Sequence, residues 1–173
     1  TYARIRHVLI SSKDYLIAQL TGECVGDVAA CSTAGAMNIR NGQWDAELCE
    51  VAEIDMTILP HLHNPQDNIG TVTESAAQRT GFSAGTAVYA GIGDAGATTL
   101  ASGVSHPGQY NINIGTSGWI ATVSPEPFTD KPGAANLAFG VEEGFVNAVP
   151  FLNAGDVHKW VTGVFADGDY AEA

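Results

Sequence analysis

Apolar positions along the chain repeat at two different periods. In the first stretch Ile5, Val8, Leu9, Leu16 and Leu20 fall on one face at helical spacing, which predicts an amphipathic helix over Thr1–Leu20. Thr21-Gly22 ends it, with Gly22 suited to the left-handed position after a helix. Val25–Thr33 is short and rich in small residues, and its pattern does not choose between strand and helix. Asn41-Gly42 marks a turn, and Asp45 is placed to cap a helix over Ala46–Ala52. Leu59-Pro60 stops the pattern, and a polar loop is expected to run to Asn68. Thr73 then caps a short helix, Glu74–Arg79, which Gly81 ends.

The second half reads differently. Thr86–Ala90 is a compact apolar strand, followed by a small-residue helix over Asp94–Ala101. Tyr110–Ile114 and Trp119–Val123 alternate at period two and are joined by Gly115-Thr116-Ser117-Gly118, a hairpin-like connection with glycine at both ends. Pro125-Glu126-Pro127 opens a loop, and Leu137–Gly140 with Phe145–Val149 predicts a second hairpin. Asn153 or Asp156 opens a last helix carrying Val157, Trp160, Val161 and Val164. Helix–strand units come first and hairpins later, which favours an α/β fold with a mixed sheet and flanking helices.

Composition narrows the function classes. A chain of 173 residues with 45% hydrophobic residues has enough apolar surface for a sizeable core, in one large domain or parts of two. A formal net charge of −12 argues against a nucleic-acid or membrane surface as partner. Cys24, Cys31 and Cys49 form no Cys-x-x-Cys pair and read as free thiols of a reducing compartment, so a cytoplasmic location is expected. No apolar run reaches the roughly 18 residues of a membrane-spanning helix, and no signal-peptide pattern is seen. The chain lacks a starting Met and stops in the acidic stretch Asp167–Ala173; it reads as a fragment of a longer chain.

Candidate chemistry concentrates in Thr86–Trp119. This stretch has no Lys or Arg, and Asp94 is its one carboxylate, at the end of a strand and the start of a helix. Such a carboxylate suits a general base, and the Gly115–Gly118 turn can offer backbone N–H groups to phosphate oxygens. Asp94 is also suited to cap its helix, and the turn to be an ordinary hairpin connection. Gly91-Ile92-Gly93-Asp94-Ala95-Gly96 matches the dinucleotide pattern GxGxxG, but a carboxylate inside that loop would repel a pyrophosphate. The acidic residue expected about 20 positions on for the ribose is missing. His61-x-His63 lacks further ligands at tight spacing, so no metal-ligating residues are assigned, and no Gly-x-Ser-x-Gly hydrolase motif occurs. Asp27 reads as structural, and Trp44, Trp119 and Trp160 as core or interface residues.

The ordered set Lys13-Asp14-Tyr15-Leu16, Leu20-Thr21-Gly22-Glu23, Asp27…Ser32, Trp44-Asp45, Leu59-Pro60, Gly70…Ala77…Gly81…Gly85-Thr86, Gly91-Ile92-Gly93-Asp94 and Gly115-Thr116-Ser117-Gly118 resembles the FGGY family of carbohydrate kinases, which includes xylulokinases, gluconokinases and glycerol kinases. The resemblance implies a ribonuclease-H-like, actin-like ATPase fold with two lobes about a cleft. It implies ATP-dependent phosphorylation of a sugar or sugar-acid hydroxyl with Mg²⁺, with no nucleic-acid or membrane partner. Residues 1–103 would then be the C-terminal part of the family's N-terminal, sugar-binding domain, and residues 104–173 the start of its C-terminal, ATP-binding domain. Incomplete lobes are expected to leave apolar surface exposed or covered by a partner chain, for which a homodimer is one arrangement.

By the same resemblance Asp94 matches the catalytic base, and Gly115, Thr116, Ser117 and Gly118 match a phosphate-binding turn. Ala95 follows the base on the substrate side, where xylulokinases and glycerol kinases usually carry Asn or Gln; a small residue there is closer to gluconokinase-like members. Cys31 stands where many members have Ala. The family's first phosphate motif, an Asp-Gly-Thr turn, is absent, so the chain by itself is expected to be inactive. The alternatives are a non-catalytic fragment or interaction module with the same fold, and a nicotinamide-dependent oxidoreductase using the Gly91–Gly96 loop. An upstream Asp-Gly-Thr turn would favour the kinase over the first, and binding of NAD(H) without MgATP would mark the second.

Overall fold

A computed structural model describes residues 2–170. The chain begins with a 3-10 turn (Tyr2–Arg4) and extended backbone, and its first helix, α1, covers only Ser12–Thr21. The expected helix over Thr1–Leu20 is thus corrected to half its length, and its first residue lies outside the described residues. Ser11 sets the start: its hydroxyl accepts from the Asp14 N–H at 3.4 Å, and the Asp14 carboxylate accepts from the Ser11 N–H at 3.0 Å, a reciprocal capping box. The buried face also differs from the apolar stripe. Asp14 and Ile17 point inward while Leu16 is exposed. Gly22, at φ 88°, ends the helix as expected.

The ambiguous stretch after α1 resolves into both states. Strand β1 (Val25–Asp27) runs straight into a single helical turn, α2 (Val28–Cys31), followed by a 3-10 turn over Ser32–Ala34. Strands β2 (Met37–Asn38) and β3 (Gln43–Trp44) form a small hairpin across Asn41-Gly42, and Asp45 caps α3 (Ala46–Val51). The polar loop expected from Pro60 to Asn68 contains one strand, and a second begins at its end. β4 (His61–His63) pairs in parallel with β1, and β5 (Asn68–Thr71) pairs antiparallel with β6 (Ala87–Tyr89) through a bulge. Between them Thr73 caps α4 (Glu74–Thr80), which Gly81 closes.

Helix α5 (Asp94–Ala101) leads into a four-stranded antiparallel sheet in the order β7-β8-β10-β9. Its strands are β7 (Tyr110–Ile114), β8 (Gly118–Ser124), β9 (Ala135–Ala138) and β10 (Phe145–Phe151). Both predicted hairpins are present, and the last helix, α6 (Gly155–Phe165), follows. Neither Asn153 nor Asp156 opens α6: Ala154 occupies the cap position without a side-chain bond. Parallel and antiparallel pairings fall in separate sheets.

Two apolar clusters hold these elements. One packs Val104, Ala121, Val123, Leu137, Phe139 and Val146 beneath Ile92, Ala95 and Trp119. The other packs Val28, Cys31, Met37 and Ala138 with Ile10, Trp44 and Leu62. Leu137 and Ala138 are neighbours on β9 and enter different clusters, as period-two alternation requires. The Ala138 N–H donates to Ser32 Oγ at 2.9 Å, which fastens β9 to the turn after α2. On β7, Tyr110, Ile112 and Ile114 share an exposed apolar face with Ile120 and Val149 of the adjoining strands. Trp44 and Trp119 are half-buried or better, whereas Trp160 is exposed on α6, edge-on to Phe165.

Candidate active site

A cavity of about 510 Å³ opens where the start of α1, the turn of α2 and the start of α5 converge. Residues 10–13 form one wall, Ala29, Ala30 and Thr33 a second, and residues 92–96 a third, with Leu137 reaching in from β9. Asp94 and Ala95 both line it. Asp94 is the first residue of α5, and Gly93 takes the cap position, so the carboxylate is not the helix cap. Its Oδ1 accepts from the adjacent Ala95 N–H at 2.8 Å, and the side chain is exposed. It stands at a helix N-terminus, faces a cavity and is paired with no cation among the described residues. Such a proton acceptor is available to a hydroxyl bound there.

The cavity wall carries a charge cluster that the sequence pattern did not reveal. Lys13 Nζ lies 2.6 Å from Asp14 Oδ1 and 2.7 Å from Asp27 Oδ2, and both carboxylates are fully buried. Burial alone would lower the Lys13 pKa, but the hydrogen bond to Asp14 and the close negative charges of Asp14 and Asp27 outweigh it and leave it raised. Asp27 also acts on the backbone, because its Oδ1 accepts from the Ala29 and Ala30 N–H groups, each at 3.0 Å, and caps α2. The structural reading of Asp27 therefore holds. Beside this cluster burial pushes the Cys31 thiol up to about 12, with the two aspartates adding to the rise and Lys13 opposing it. Cys24, Cys31 and Cys49 are all free thiols. Lys13 and Asp14 belong to the motifs that carry the family resemblance, yet nothing in their spacing points to a second buried partner of Lys13 fourteen positions on. The available signal was chemical: a Lys-Asp pair at a capped helix start, and a second Asp ending an apolar strand.

The Gly115–Gly118 turn is not part of this cavity's lining. It joins β7 to β8 and rests on the start of α6. The Ala154 N–H donates to Thr116 O at 2.9 Å and the Gly155 N–H to Gly115 O at 2.8 Å, while the Gly115 N–H is taken by Ser117 O at 2.7 Å. A Cβ on Gly155 would lie 2.6 Å from Gly115 O, so only glycine allows this approach. With its carbonyls turned onto α6, the turn leaves Thr116 and Ser117 exposed, and Gly118 is buried. Among the described residues no group of three or more His, Cys, Asp or Glu is arranged to hold a metal ion.

Comparison with known proteins converges on one family. The sequence profile of the FGGY family of carbohydrate kinases, N-terminal domain, matches residues 1–101. A gluconokinase of Bacillus subtilis is 28% identical over 164 residues, which is 95% of this chain and 32% of that protein. An autoinducer-2 kinase of Yersinia enterocolitica is 35% identical over 136 residues, 78% of this chain and 26% of that protein. The crystal structure of xylulose kinase from Rhodospirillum rubrum superposes with a TM-score of 0.84 at 28% identity, covering 95% of this chain and 34% of the other. The chain thus spans about a third or less of the length of these relatives. The match to solved kinases also establishes the ribonuclease-H-like, actin-like ATPase architecture.

Proposed function

Since the chain belongs to the FGGY family of carbohydrate kinases, we propose that it carries the general base and one phosphate-binding turn of an ATP-dependent kinase acting on a sugar or sugar-acid hydroxyl. The observation that carries this reading is Asp94, a carboxylate with no cationic partner among the described residues, at the wall of a cavity and at the N-terminus of α5. Asp94 takes the proton of the attacking hydroxyl as its oxygen bonds the γ-phosphorus of ATP and the bond from that phosphorus to the β–γ bridging oxygen breaks, with ADP leaving; its fixed position orients the attacking oxygen. Ala95 lies on the same wall and leaves room beside the hydroxyl.

The Gly115–Gly118 turn fits a phosphate by its own construction. The Gly115 and Thr116 carbonyl oxygens, which would repel an anion, are engaged by the Gly155 and Ala154 N–H groups. Its outward side offers the exposed Thr116 and Ser117. The start of α6, with its positive dipole end, stands directly behind. Within Gly115, Thr116, Ser117 and Gly118 the Gly115 N–H is taken by Ser117 O and Gly118 is buried, so the exposed Thr116 and Ser117 would hold the phosphates by backbone N–H groups and hydroxyls, without a Lys or Arg in the turn. MgATP, when bound, supplies the γ-phosphoryl group and the counter-charge for it. The division of labour we infer assigns residues 1–103 to a sugar-binding lobe and residues 104–173 to an ATP-binding lobe. Val104 packs with the four-stranded sheet, in keeping with a boundary near residue 103, while Ile92 and Ala95 in the one cluster and Ala138 in the other pack across it.

Replacing Asp94 tests the reading. In the full-length gene product Asp94→Asn is expected to keep MgATP affinity and to lose about 10²–10⁴-fold in turnover, the usual worth of a general base. Near-normal turnover would reduce Asp94 to a solvent-facing residue at a helix start. A cytoplasmic location and a requirement for Mg²⁺ belong to the same proposal and are tested by fractionation and by chelation.

A further inference from the structure

We propose that Lys13 is a positioning residue for Asp94, acting through Asp27 and α2 and not on the substrate; this rests on Asp94 being the base. Lys13 is the one cation among the described residues of the cavity wall, yet its ammonium is committed to two fully buried carboxylates, at 2.6 and 2.7 Å. Two acids to one base leave the cluster with net negative charge, so it offers no attraction to an anionic group in the cavity. Its consequence runs through the backbone instead. Lys13 holds Asp27 Oδ2, and Asp27 Oδ1 holds the Ala29 and Ala30 N–H groups. Helix α2 is a single turn of four residues, too short to stand without its cap.

Ala30 is what the Asp94 loop rests on. A Cβ on Gly93 would lie 3.3 Å from both Cα and Cβ of Ala30, so Gly93 is seated directly on α2, one residue before Asp94. The other end of the loop meets Lys13 itself: a Cβ on Gly91 would lie 3.7 Å from Lys13 Cδ. The Gly91 N–H donates to Pro65 O at 2.9 Å, which pins the same end. Among the described residues the Asp94 carboxylate bonds only to the Ala95 N–H of its own helix, so it goes where residues 91–93 carry it. Lys13 therefore borders that segment at Gly91 through its methylene stem and supports it at Gly93 through Asp27 and Ala30.

The test is a double-mutant cycle in the full-length gene product. The acceptor is whichever of D-xylulose, L-xylulose and D-gluconate the wild type turns over fastest, with MgATP as donor. Lys13→Met is expected to lower kcat about 10- to 100-fold, as a small misplacement of a catalytic group does, with KM for MgATP unchanged. In the Asp94→Asn background the same substitution is expected to cause no further loss, because there is no base left to misplace. An equal loss in both backgrounds would assign Lys13 to the fold in general and overturn the proposal, as would an unchanged kcat in Lys13→Met. If Lys13→Met does not fold, Asp27→Asn takes its place: the amide oxygen still caps α2, while a donor NH2 replaces the oxygen that faced Lys13, so the tie is lost. It is expected to give the same background-dependent loss, and an equal loss in both backgrounds, or none in either, overturns the proposal. Wild-type turnover in Asp94→Asn alone would instead refute Asp94 as the base, whatever Lys13 does.

Discussion

Asp94 reaches the cavity on a loop of two glycines about Ile92, which packs on the first apolar cluster, so the residues around it decide its geometry. Two groups near it, Cys31 and Lys13, have their ionisation tied to folding. Cys31 shows the sign. Its thiol is pushed from 9.0 up to about 12 in the folded chain by burial, then by the charges of Asp14 and Asp27. Below the unfolded value both states keep the proton and the stability is fully present. Above it the unfolded chain releases a proton that the folded chain retains, so stability falls as pH rises through that window. Lys13, also raised, contributes with the same sign at higher pH. The urea midpoint is expected to drop between about pH 9 and about pH 12, and Cys31→Ala to flatten that drop. A midpoint with the same slope in both proteins would show that the thiol is not the group responsible. Thiol-reactive probes at about pH 8 should modify the half-buried Cys24 well before Cys31 or Cys49.

Among the elements, α1 has the most specific start. Ser11→Ala removes the hydroxyl that accepts from Asp14 and is expected to cost about 1 kcal/mol by chemical denaturation, the usual worth of such a cap. A loss below a few tenths would mean that the Lys13–Asp14 contact alone holds the helix start. This cap also explains where sequence and structure part. Counting apolar spacing from Thr1 extends the helix through Ser11, because periodicity is blind to a residue that captures the backbone. The face reading fails for a related reason, since Asp14 is drawn inward by Lys13 and displaces the stripe that includes Leu16. β4 was illegible because His61-Leu62-His63 holds one apolar residue, and its partner Val25–Asp27 is remote in sequence. By contrast α3, α4, α5 and the hairpins of the second half were legible, each having a cap, a glycine stop or clean alternation. Of the candidate site, the lone carboxylate between strand and helix singled out Asp94 and the family resemblance Ala95, and both line the cavity; Lys13 was not singled out as part of it, since its joint hold on Asp14 and Asp27 exists only in three dimensions.

At the scale of the whole molecule, the two apolar clusters meet along β9 and the residues that follow it. Gly140 sits at φ 73°, where a Cβ would lie 2.7 Å from Val28 Cγ2 and 2.8 Å from Pro65 Cδ. Gly140→Ala is expected to destabilise the chain by about 1–3 kcal/mol, the cost of overpacking, read as a lower denaturant midpoint. An unchanged midpoint would mean that the contact between the two clusters yields without cost. The exposed Arg40–Glu126 pair, 2.6 Å apart, spans the same two parts, and its removal should change stability by less than about 1 kcal/mol. The bond from Ala138 to Ser32 joins residues 106 positions apart. On a ribosome adding about 5–20 residues per second, the Ser32 hydroxyl is made on the order of 5–20 s before its partner exists. During that interval the apolar face of Val28 and Cys31 has no β9 to cover it, which makes this turn a place where a nascent chain would call on a chaperone.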